Sequence, residues 1–415
     1  KFQISLKIGK LSKVLHLKSK PISIQLRLLL LSGYRKTHDP LKILGIEDLS
    51  FVFQFLMHPV LNSQLSKEKE ELILKRGDFV HVDLRDMDLS RPPIIFYQKA
   101  GDIESLDLSS NANSFLPLDF IESATSLTNL RMVNVRASKF PQNITHIITL
   151  VSLELSRNFI KNIPSSIGML QNLRILNLQS NRLTNLPEGF GSLKHLQLLD
   201  LSSNLFTEYP EVINECTTLL QVDLSSNRIY KIPDSINKLT KLAKLNLSYN
   251  NLTVIPSLKD MENLRAISLK DNLIHTCTAG SKSLQYIYLS DNRISEFEDE
   301  LPNLRTLEVA KNPLTSVYFK ENFMNFLTTL NLSKANLTIV PSIIWKKFIK
   351  LRKLELNENN LTQISEAIEN LTQLNHLSFN RNKLESLPKS IFKLKNLSFL
   401  DLNSNNITEF VPDLA

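Results

Sequence analysis

The sequence predicts an α/β solenoid of about fifteen leucine-rich repeats, preceded by a small α+β domain of ubiquitin-like fold. The first observation is a pattern that recurs from residue 79 onward, with apolar residues at offsets 1, 4 and 6 and asparagine at offset 9. The second is its step, usually 23 residues and near 20 in a few copies. The third is a change in charge and periodicity before residue 61. A step sustained over so many copies is the signature of a repeat architecture.

Each copy contains a Leu-x-Leu piece that is predicted to be a short strand, with its leucines in the core and the residue between them on the concave face. The asparagine closes the strand, and its amide should satisfy backbone groups of the turn and of the neighbouring coil. Met87, Ser138 and Ala335 are expected to occupy this place in three degenerate coils, the first of which caps the array. The predicted asparagine ladder comprises Asn111, Asn158, Asn181, Asn204, Asn227, Asn250, Asn272, Asn292, Asn312, Asn359, Asn382 and Asn405.

The opposite, convex side of the coils carries a second apolar set and a recurring proline. Proline there favours short, tight segments over full helices because it lacks an amide hydrogen and has a fixed φ. The stretch from Gly189 to Gly191 lies on this side and is predicted to form a turn.

The concave centre column is acidic in the sequence. It is predicted to contain Asp83, Asp107, Asn134, Glu154, Asn177, Asp200, Asp223, Asn246, Ser268, Tyr288, Glu308, Asn331, Glu355, Ser378 and Asp401. Eight of these are acidic and none is basic, which argues against a nucleic-acid backbone in the groove.

Apolar and aromatic residues add a candidate protein-binding patch to the concave face. Its members are predicted to be Met132, Ile175, Leu198, Tyr249, Tyr286 and Tyr288. Such a patch, rimmed by charge, is typical of an interface that binds a protein partner. The alternative, that these are isolated surface residues, is equally open.

Residues 1–60 are predicted to form the ubiquitin-like domain. Residues 2–8 alternate between apolar and polar types, as a strand does; residues 14–18 form a second strand, 23–31 a helix, and 51–56 a third strand. Residues 61–78 are predicted to form a helical connector, and the solenoid is assigned to 79–415. No cap closes the core after Asn405, so further repeats are expected beyond this chain.

Residues 1–38 hold nine lysines or arginines and no acidic residue, whereas the other 377 residues carry 40 basic and 41 acidic side chains. Scattered charges usually form a solvated surface. A one-sided set of this kind instead indicates an acidic partner, which its potential would attract. Nucleic acid is disfavoured because the domain lacks an aromatic stacking set, a zinc knuckle and a recognition helix.

No catalytic, metal or cofactor motif is evident. The eight histidines are dispersed without metal-ligand spacing, and neither a phosphate-binding glycine loop nor a nucleophile elbow occurs. Cys216 and Cys277 lie in different repeats without cysteine-rich caps, which favours a reducing, cytoplasmic setting. The longest apolar stretch, 24–31, is too short to span a bilayer. The sequence therefore predicts a non-enzymatic recognition segment without a cofactor of its own.

Four runs carry a family resemblance. Residues 105–123, 152–164, 170–233 and 289–317 resemble the repeat region of fungal (yeast-type) adenylate cyclases, including its irregular short repeats. In that family a Ras-associating domain of ubiquitin-like fold precedes the repeats. A phosphatase-like domain and a Mg²⁺-dependent cyclase domain follow them, and the motifs of the cyclase domain are absent here.

The resemblance implies that residues 1–60 bind a GTP-bound Ras-type GTPase, since Ras-associating domains present basic side chains to the acidic effector loop of Ras. Carried over by position, the candidates are Lys7, Lys10, Lys13, Lys18, Lys20 and Arg27. Membrane recruitment would then occur through the partner, at the inner face of the plasma membrane. The alternative is a free-standing intracellular Ras-pathway scaffold built from the same 23-residue repeats.

Overall fold

The computed structural model describes residues 80–408, apart from 90, 93, 256, 278–279, 298–300 and 315–324. The predicted ubiquitin-like domain, the connector 61–78 and the six basic candidates therefore lie outside the described residues. All statements below concern the repeat region.

The repeat region is built on one parallel sheet of fifteen strands, each three residues long and each from one coil. Its order is sequential, which confirms the prediction of fifteen repeats in a solenoid. The strands are β1 His81–Asp83, β2 Ser105–Asp107, β3 Asn129–Arg131, β4 Ser152–Glu154, β5 Ile175–Asn177, β6 Leu198–Asp200, β7 Gln221–Asp223, β8 Lys244–Asn246, β9 Ala266–Ser268, β11 Tyr286–Tyr288, β13 Thr306–Glu308, β14 Thr329–Asn331, β15 Lys353–Glu355, β16 His376–Ser378 and β17 Phe399–Asp401.

The middle residue of each strand points into the core and stacks on the middle residue of the next strand. Leu176 is opposite Leu199, and Leu199 is opposite Val222, with exposures of 1%, 2% and 1%. Burying one such side chain contributes about 1.5–3 kcal/mol. The core is thus a continuous column along the solenoid, and each coil depends on its two neighbours.

Short helices form the convex side. Two are α-helices, α1 Leu118–Ser123 and α2 Ser342–Lys347. The others are the 3₁₀ helices Ile94–Asp102, Gln142–His146, Ser165–Met169, Glu188–Ser192, Glu211–Glu215, Asp234–Lys238, Glu366–Asn370 and Lys389–Lys393. A proline immediately precedes most of them, where the missing amide hydrogen costs nothing. The predicted turn at Gly189–Gly191 is instead part of a 3₁₀ helix.

The shortest coils carry no helix in their described residues. Their convex side is a parallel pair of two-residue strands, β10 Thr276–Cys277 and β12 Glu296–Phe297. An extended segment spans the same distance with fewer residues than a helix does, which is consistent with a repeat length near 20 residues.

The asparagines form a hydrogen-bonded ladder between coils. Asn204 Nδ2 donates to the carbonyls of Leu178 at 3.0 Å and Leu201 at 3.0 Å, and its Oδ1 accepts from Leu183 N at 3.0 Å. The other eleven ladder asparagines likewise donate to a carbonyl of the preceding coil and one of their own. Each amide thus ties a turn to the coil before it.

The third coil lies in a different frame from the prediction. Leu130 pairs with Leu106 and Leu153, so Val135, not Ser138, occupies the asparagine position. The sequence permits both frames, because apolar residues stand at offsets 1, 4 and 6 in each. Pairing with β2 and β4 decides between them, and it buries Met132, at 0% exposure, which the predicted frame placed on the concave face.

Candidate interaction surface on the concave face

The concave face consists of the first and third residues of each sheet strand. The frame of the third coil corrects two predictions about it. Met132 lies in the core and not on this face, and Arg131, not Asn134, occupies the centre column. The centre column therefore contains one basic residue in addition to its eight acidic residues.

Arg131 joins an ion-paired cluster across the first four strands. Its Nε lies 3.2 Å from Asp107 Oδ2, and its Nη1 lies 3.1 Å from Glu154 Oε2. Arg85 pairs with Asp83 at 2.6 Å and approaches Asp107 at 3.6 Å. Two guanidinium groups thus neutralise most of the negative charge at this end, leaving it unsuited to a basic partner.

The middle of the face keeps its negative charge. Within the described part of the chain, Asp200 and Asp223 make no ion pair. Asp200 Oδ1 accepts from Ser202 Oγ at 2.6 Å, and Asp223 Oδ2 accepts from Asn246 Nδ2 at 2.8 Å. Partial burial raises the pKa of Asp200, and the neighbouring Asp223 carboxylate raises it further. The hydrogen bonds from Ser202 lower this pKa but do not cancel the rise. A cationic side chain from a partner would relieve this unfavourable charge.

The five apolar and aromatic candidates form two patches. Ile175 and Leu198 lie directly opposite each other on β5 and β6, half-buried and next to Asp200. Tyr286 and Tyr288 flank buried Ile287 on β11. Three strands separate the two pairs, so at the usual strand spacing they lie about 19 Å apart.

The tyrosine patch extends to Tyr249, which is 48% exposed in the turn after β8, with Lys270 Nζ 5.6 Å from its ring centroid. Beside the patch, burial raises the pKa of Glu308, and the negative charge of Glu355 raises it further, whereas the nearby Lys353 and Lys270 lower it. Tyr288 also has a raised pKa, first because of burial and then because of Glu308. This end therefore offers hydroxyl donors beside a carboxylate.

The last strands form a third, mixed group. The His376 ring stacks on Phe399 with centroids 4.2 Å apart, and its Nε2 lies 3.5 Å from Glu355 Oε1. Burial lowers the pKa of His376, and the charge of Lys353 lowers it further. Neither aromatic residue was among the sequence candidates, although both stand at strand-start positions that the repeat frame places on this face.

The described residues offer little for catalysis. No group of three or more His, Cys, Asp or Glu side chains among them could hold a metal ion. Nor does any helix in the described ranges have the length and apolar character needed to cross a bilayer. Cys216 and Cys277 are buried and are not joined in a disulfide. What the concave face presents is an extended surface of charged, apolar and aromatic side chains.

The fold defines the chain's class: it contains a leucine-rich-repeat solenoid. Family models described as "Leucine-rich repeat region" and "Leucine Rich Repeat" match residues 167–280 and residues 283–304 and 396–415, respectively. A solved leucine-rich-repeat protein of Leptospira interrogans is 28% identical, with a TM-score of 0.65 over 82% of this chain and 88% of that one. A third family model, "PHLPP protein RA domain", matches residues 1–57.

The chain is similar to fungal adenylate cyclases. It is 60% identical over 88% of its length to an adenylate cyclase of Lachancea kluyveri and covers 20% of that protein. It is 36% identical over 32% of its length to an adenylate cyclase of Mycosarcoma maydis, of which it covers 5%. The expected resemblance is confirmed. The chain spans about a fifth of the length of the first of these relatives.

Proposed function

We propose that this chain is the regulatory, protein-binding segment of a Ras-responsive adenylate cyclase. In this proposal residues 1–60 bind a GTP-bound Ras-type GTPase, and the chain couples this binding to cAMP synthesis by a Mg²⁺-dependent cyclase domain outside it. The protein would act in the cytoplasm, recruited by its partner to the inner face of the plasma membrane. One observation carries the proposal: an RA-domain match at residues 1–57 followed by fifteen coils, in a chain 60% identical to a fungal adenylate cyclase.

Physical chemistry supports the assignment of the GTPase contact to residues 1–38. Their nine basic and zero acidic side chains would attract an acidic effector loop and speed its association. In the described centre column of the concave face, by contrast, the one basic residue is Arg131, which is already paired with two carboxylates.

The test is a binding measurement between this chain and a Ras-type GTPase loaded with GTP or GDP. We expect the GTP form alone to bind, and Lys13→Glu with Lys18→Glu to weaken it on the order of tenfold through loss of charge complementarity. The matched control reverses two exposed solenoid lysines, Lys161→Glu and Lys241→Glu, and should bind as the parent does. Equal binding of both nucleotide forms would remove the Ras-effector assignment.

A second part of the proposal concerns the concave face. The Ile175–Leu198 pair lies next to the unpaired Asp200 and Asp223, so the surface suits an extended protein segment with a basic residue beside an apolar one.

A lysine–leucine peptide should bind to this surface, whereas a glutamate–leucine peptide of the same length should not. Leu198→Ser should weaken binding, and Tyr286→Ser, about 19 Å away at the ordinary strand spacing, should not. Equal binding of both peptides would argue against this contact.

A further inference from the structure

The convex side of the last three coils carries a set of lysines around exposed apolar side chains. In α2 and the residues after it, Trp345 and Phe348 are buried, whereas Lys346, Lys347 and Lys350 are exposed. Ile349 stands among these lysines and is 52% exposed. The helical period therefore sends the apolar pair into the core and the lysines outward.

The same arrangement recurs two coils later. In the segment 389–395, Ile391 and Leu394 are buried, and Phe392 is 47% exposed between exposed lysines. We call the combined surface the lysine patch. It comprises Lys346, Lys347, Lys350, Lys389, Lys393 and Lys395, with Ile349, Phe392 and Phe326.

An open cleft joins the two halves of the lysine patch. Lys346, Lys350 and Lys393 line it, together with Ile349 and polar residues of the coil between them. Phe326, 46% exposed, lies at its edge beneath Lys350, whose Nζ is 4.2 Å from the ring centroid. Exposed apolar atoms and ammonium groups thus share one surface.

The lysine patch carries more lysines than the helix between its two halves carries acidic residues. The 3₁₀ helix between them, Glu366–Asn370, contributes two acidic residues, and each already has a partner. Glu369 pairs with Lys393 at 2.6 Å, and Glu366 accepts a hydrogen bond from Ser390 N at 3.1 Å. Lys346, Lys347 and Lys350 form no ion pair within the described ranges. Six lysines against two carboxylates leave a local excess of positive charge that attracts an anionic surface.

The residue types distinguish between kinds of anionic partner. Segments 345–350 and 389–395 contain six lysines and no arginine. Lysine is depleted in protein interfaces, where arginine is enriched because its planar group binds carboxylates with two hydrogen bonds. Lysine clusters with a few apolar side chains are instead typical of surfaces that contact anionic lipid headgroups.

We propose that the lysine patch is a peripheral binding surface for an anionic lipid bilayer, with the ammonium groups at the headgroups and Phe326, Ile349 and Phe392 at the acyl boundary. Each lysine near an anionic membrane raises partitioning about fivefold. The contact does not depend on a GTPase. It would orient the solenoid on a membrane to which another part of the molecule is already attached.

The test uses this chain with phosphatidylcholine vesicles that contain about 30% phosphatidylserine, a composition chosen for the electrostatic attraction of lysine to anionic headgroups. The chain has one tryptophan, Trp345, in the helix that carries Lys346. Brominated lipid quenches tryptophan only at short range, so Trp345 quenching reports contact at the lysine patch. The variants below change only solenoid lysines, so they separate contact at the lysine patch from binding through residues 1–38.

We expect Trp345 quenching with the anionic vesicles and none with pure phosphatidylcholine. Lys346→Glu, Lys350→Glu and Lys393→Glu together should shift the lipid concentration for half-maximal quenching on the order of 100-fold. Ile349→Ser should weaken quenching without changing charge. The charge-matched control, Lys161→Glu, Lys231→Glu and Lys241→Glu, reverses exposed lysines elsewhere in the solenoid and should quench as the parent does.

Three results would overturn the proposal. One is quenching that neutral vesicles reproduce, and another is quenching that the lysine-patch triple variant retains. The third is an absence of quenching on vesicles that sediment the chain, accompanied by binding of poly-glutamate that the triple variant loses. That last result would assign the lysine patch to an acidic protein.

Discussion

Val135 lacks the side-chain amide of the ladder asparagines, and its backbone amide donates to Asn158 Oδ1 of the next coil. Val135 stands in the asparagine position of its coil, and Asn158 Oδ1 of the next coil accepts from Val135 N at 3.1 Å and also from Ala137 N at 3.0 Å. Asn111 and Asn359 accept the same two amides where Met87 and Ala335 replace asparagine. A coil without its own asparagine is therefore held by the coil that follows.

Because neighbouring coils depend on each other in this way, removing one ladder asparagine is predicted to lower the free energy of unfolding substantially. Asn204→Ala would leave the buried Leu183 amide without its acceptor and would remove the bonds to two carbonyls, and we expect a loss of about 3 kcal/mol in the free energy of unfolding. Urea denaturation followed by circular dichroism measures it. Asn172→Ala, which removes one exposed bond to the Ile148 carbonyl, should change stability by at most about 0.5 kcal/mol. Equal effects of the two variants would contradict the prediction.

Gly189 is predicted to be intolerant of a side chain. A Cβ at this position would overlap the Ser165 carbonyl oxygen of the preceding coil, and backbone atoms cannot give way as a flexible side chain can. We expect Gly189→Ala to lower the free energy of unfolding by about 1–3 kcal/mol through overpacking. Gly101→Ala is the control, because its Cβ would meet ordinary contacts at 3.5 and 3.6 Å. The idea fails if Gly189→Ala is as stable as Gly101→Ala.

Arg131 bridges Asp107 and Glu154, so its removal should have a salt-dependent effect. We expect Arg131→Gln to destabilise the chain by up to about 1 kcal/mol at low ionic strength, and by less in 1 M salt, where exposed pairs are screened. The measurement is the urea midpoint at the two salt concentrations. Arg174→Gln, at an exposed arginine outside any described ion pair, should show no such dependence. A salt-independent effect of Arg131→Gln would indicate lost packing instead.

Asp200 should make stability depend on pH. A carboxyl whose pKa is raised on folding binds its proton more readily in the native state, so its charged form costs stability above the folded pKa. That cost disappears as the pH falls through the raised pKa towards the ordinary value of 3.8. Asp200→Asn should therefore be more stable than the parent at pH 7, with a smaller difference at pH 4.5. The exposed Asp260→Asn serves as the control. A difference that grows at low pH would refute this sign.

Cys216 is predicted to be unreactive in the folded protein. It is 0% exposed, and burial raises the pKa of its thiol to about 11, so little of the reactive thiolate is present at pH 8. Iodoacetamide should leave Cys216 unmodified until denaturant unfolds the solenoid, as measured by peptide mass spectrometry. Rapid modification under native conditions would mean that the fourth and fifth convex 3₁₀ helices open locally.

The sequence by itself determined the solenoid, its fifteen coils and the twelve ladder asparagines, because the pattern of leucines and asparagine is local and repeats at a fixed step. The recurring proline of the convex side also indicated that the convex segments are short and are not full-length helices. Where the pattern is ambiguous, as between Leu127–Leu130–Met132 and Leu130–Val133–Val135, only pairing with β2 and β4 chose the frame. That frame places Arg131 between two carboxylates. Because these carboxylates belong to the neighbouring coils, the pattern within one coil could not predict the contact.

Tertiary structure also decided how the concave candidates group. The sequence places Ile175, Leu198, Tyr286 and Tyr288 on one face, but only the stacking of coils separates them into two patches. The close approach of Gly189 to Ser165 and the meeting of Lys350 with Phe326 likewise arise between coils. A repeat sequence specifies each coil through its own side chains, whereas surfaces that span coils depend on how neighbouring coils stack.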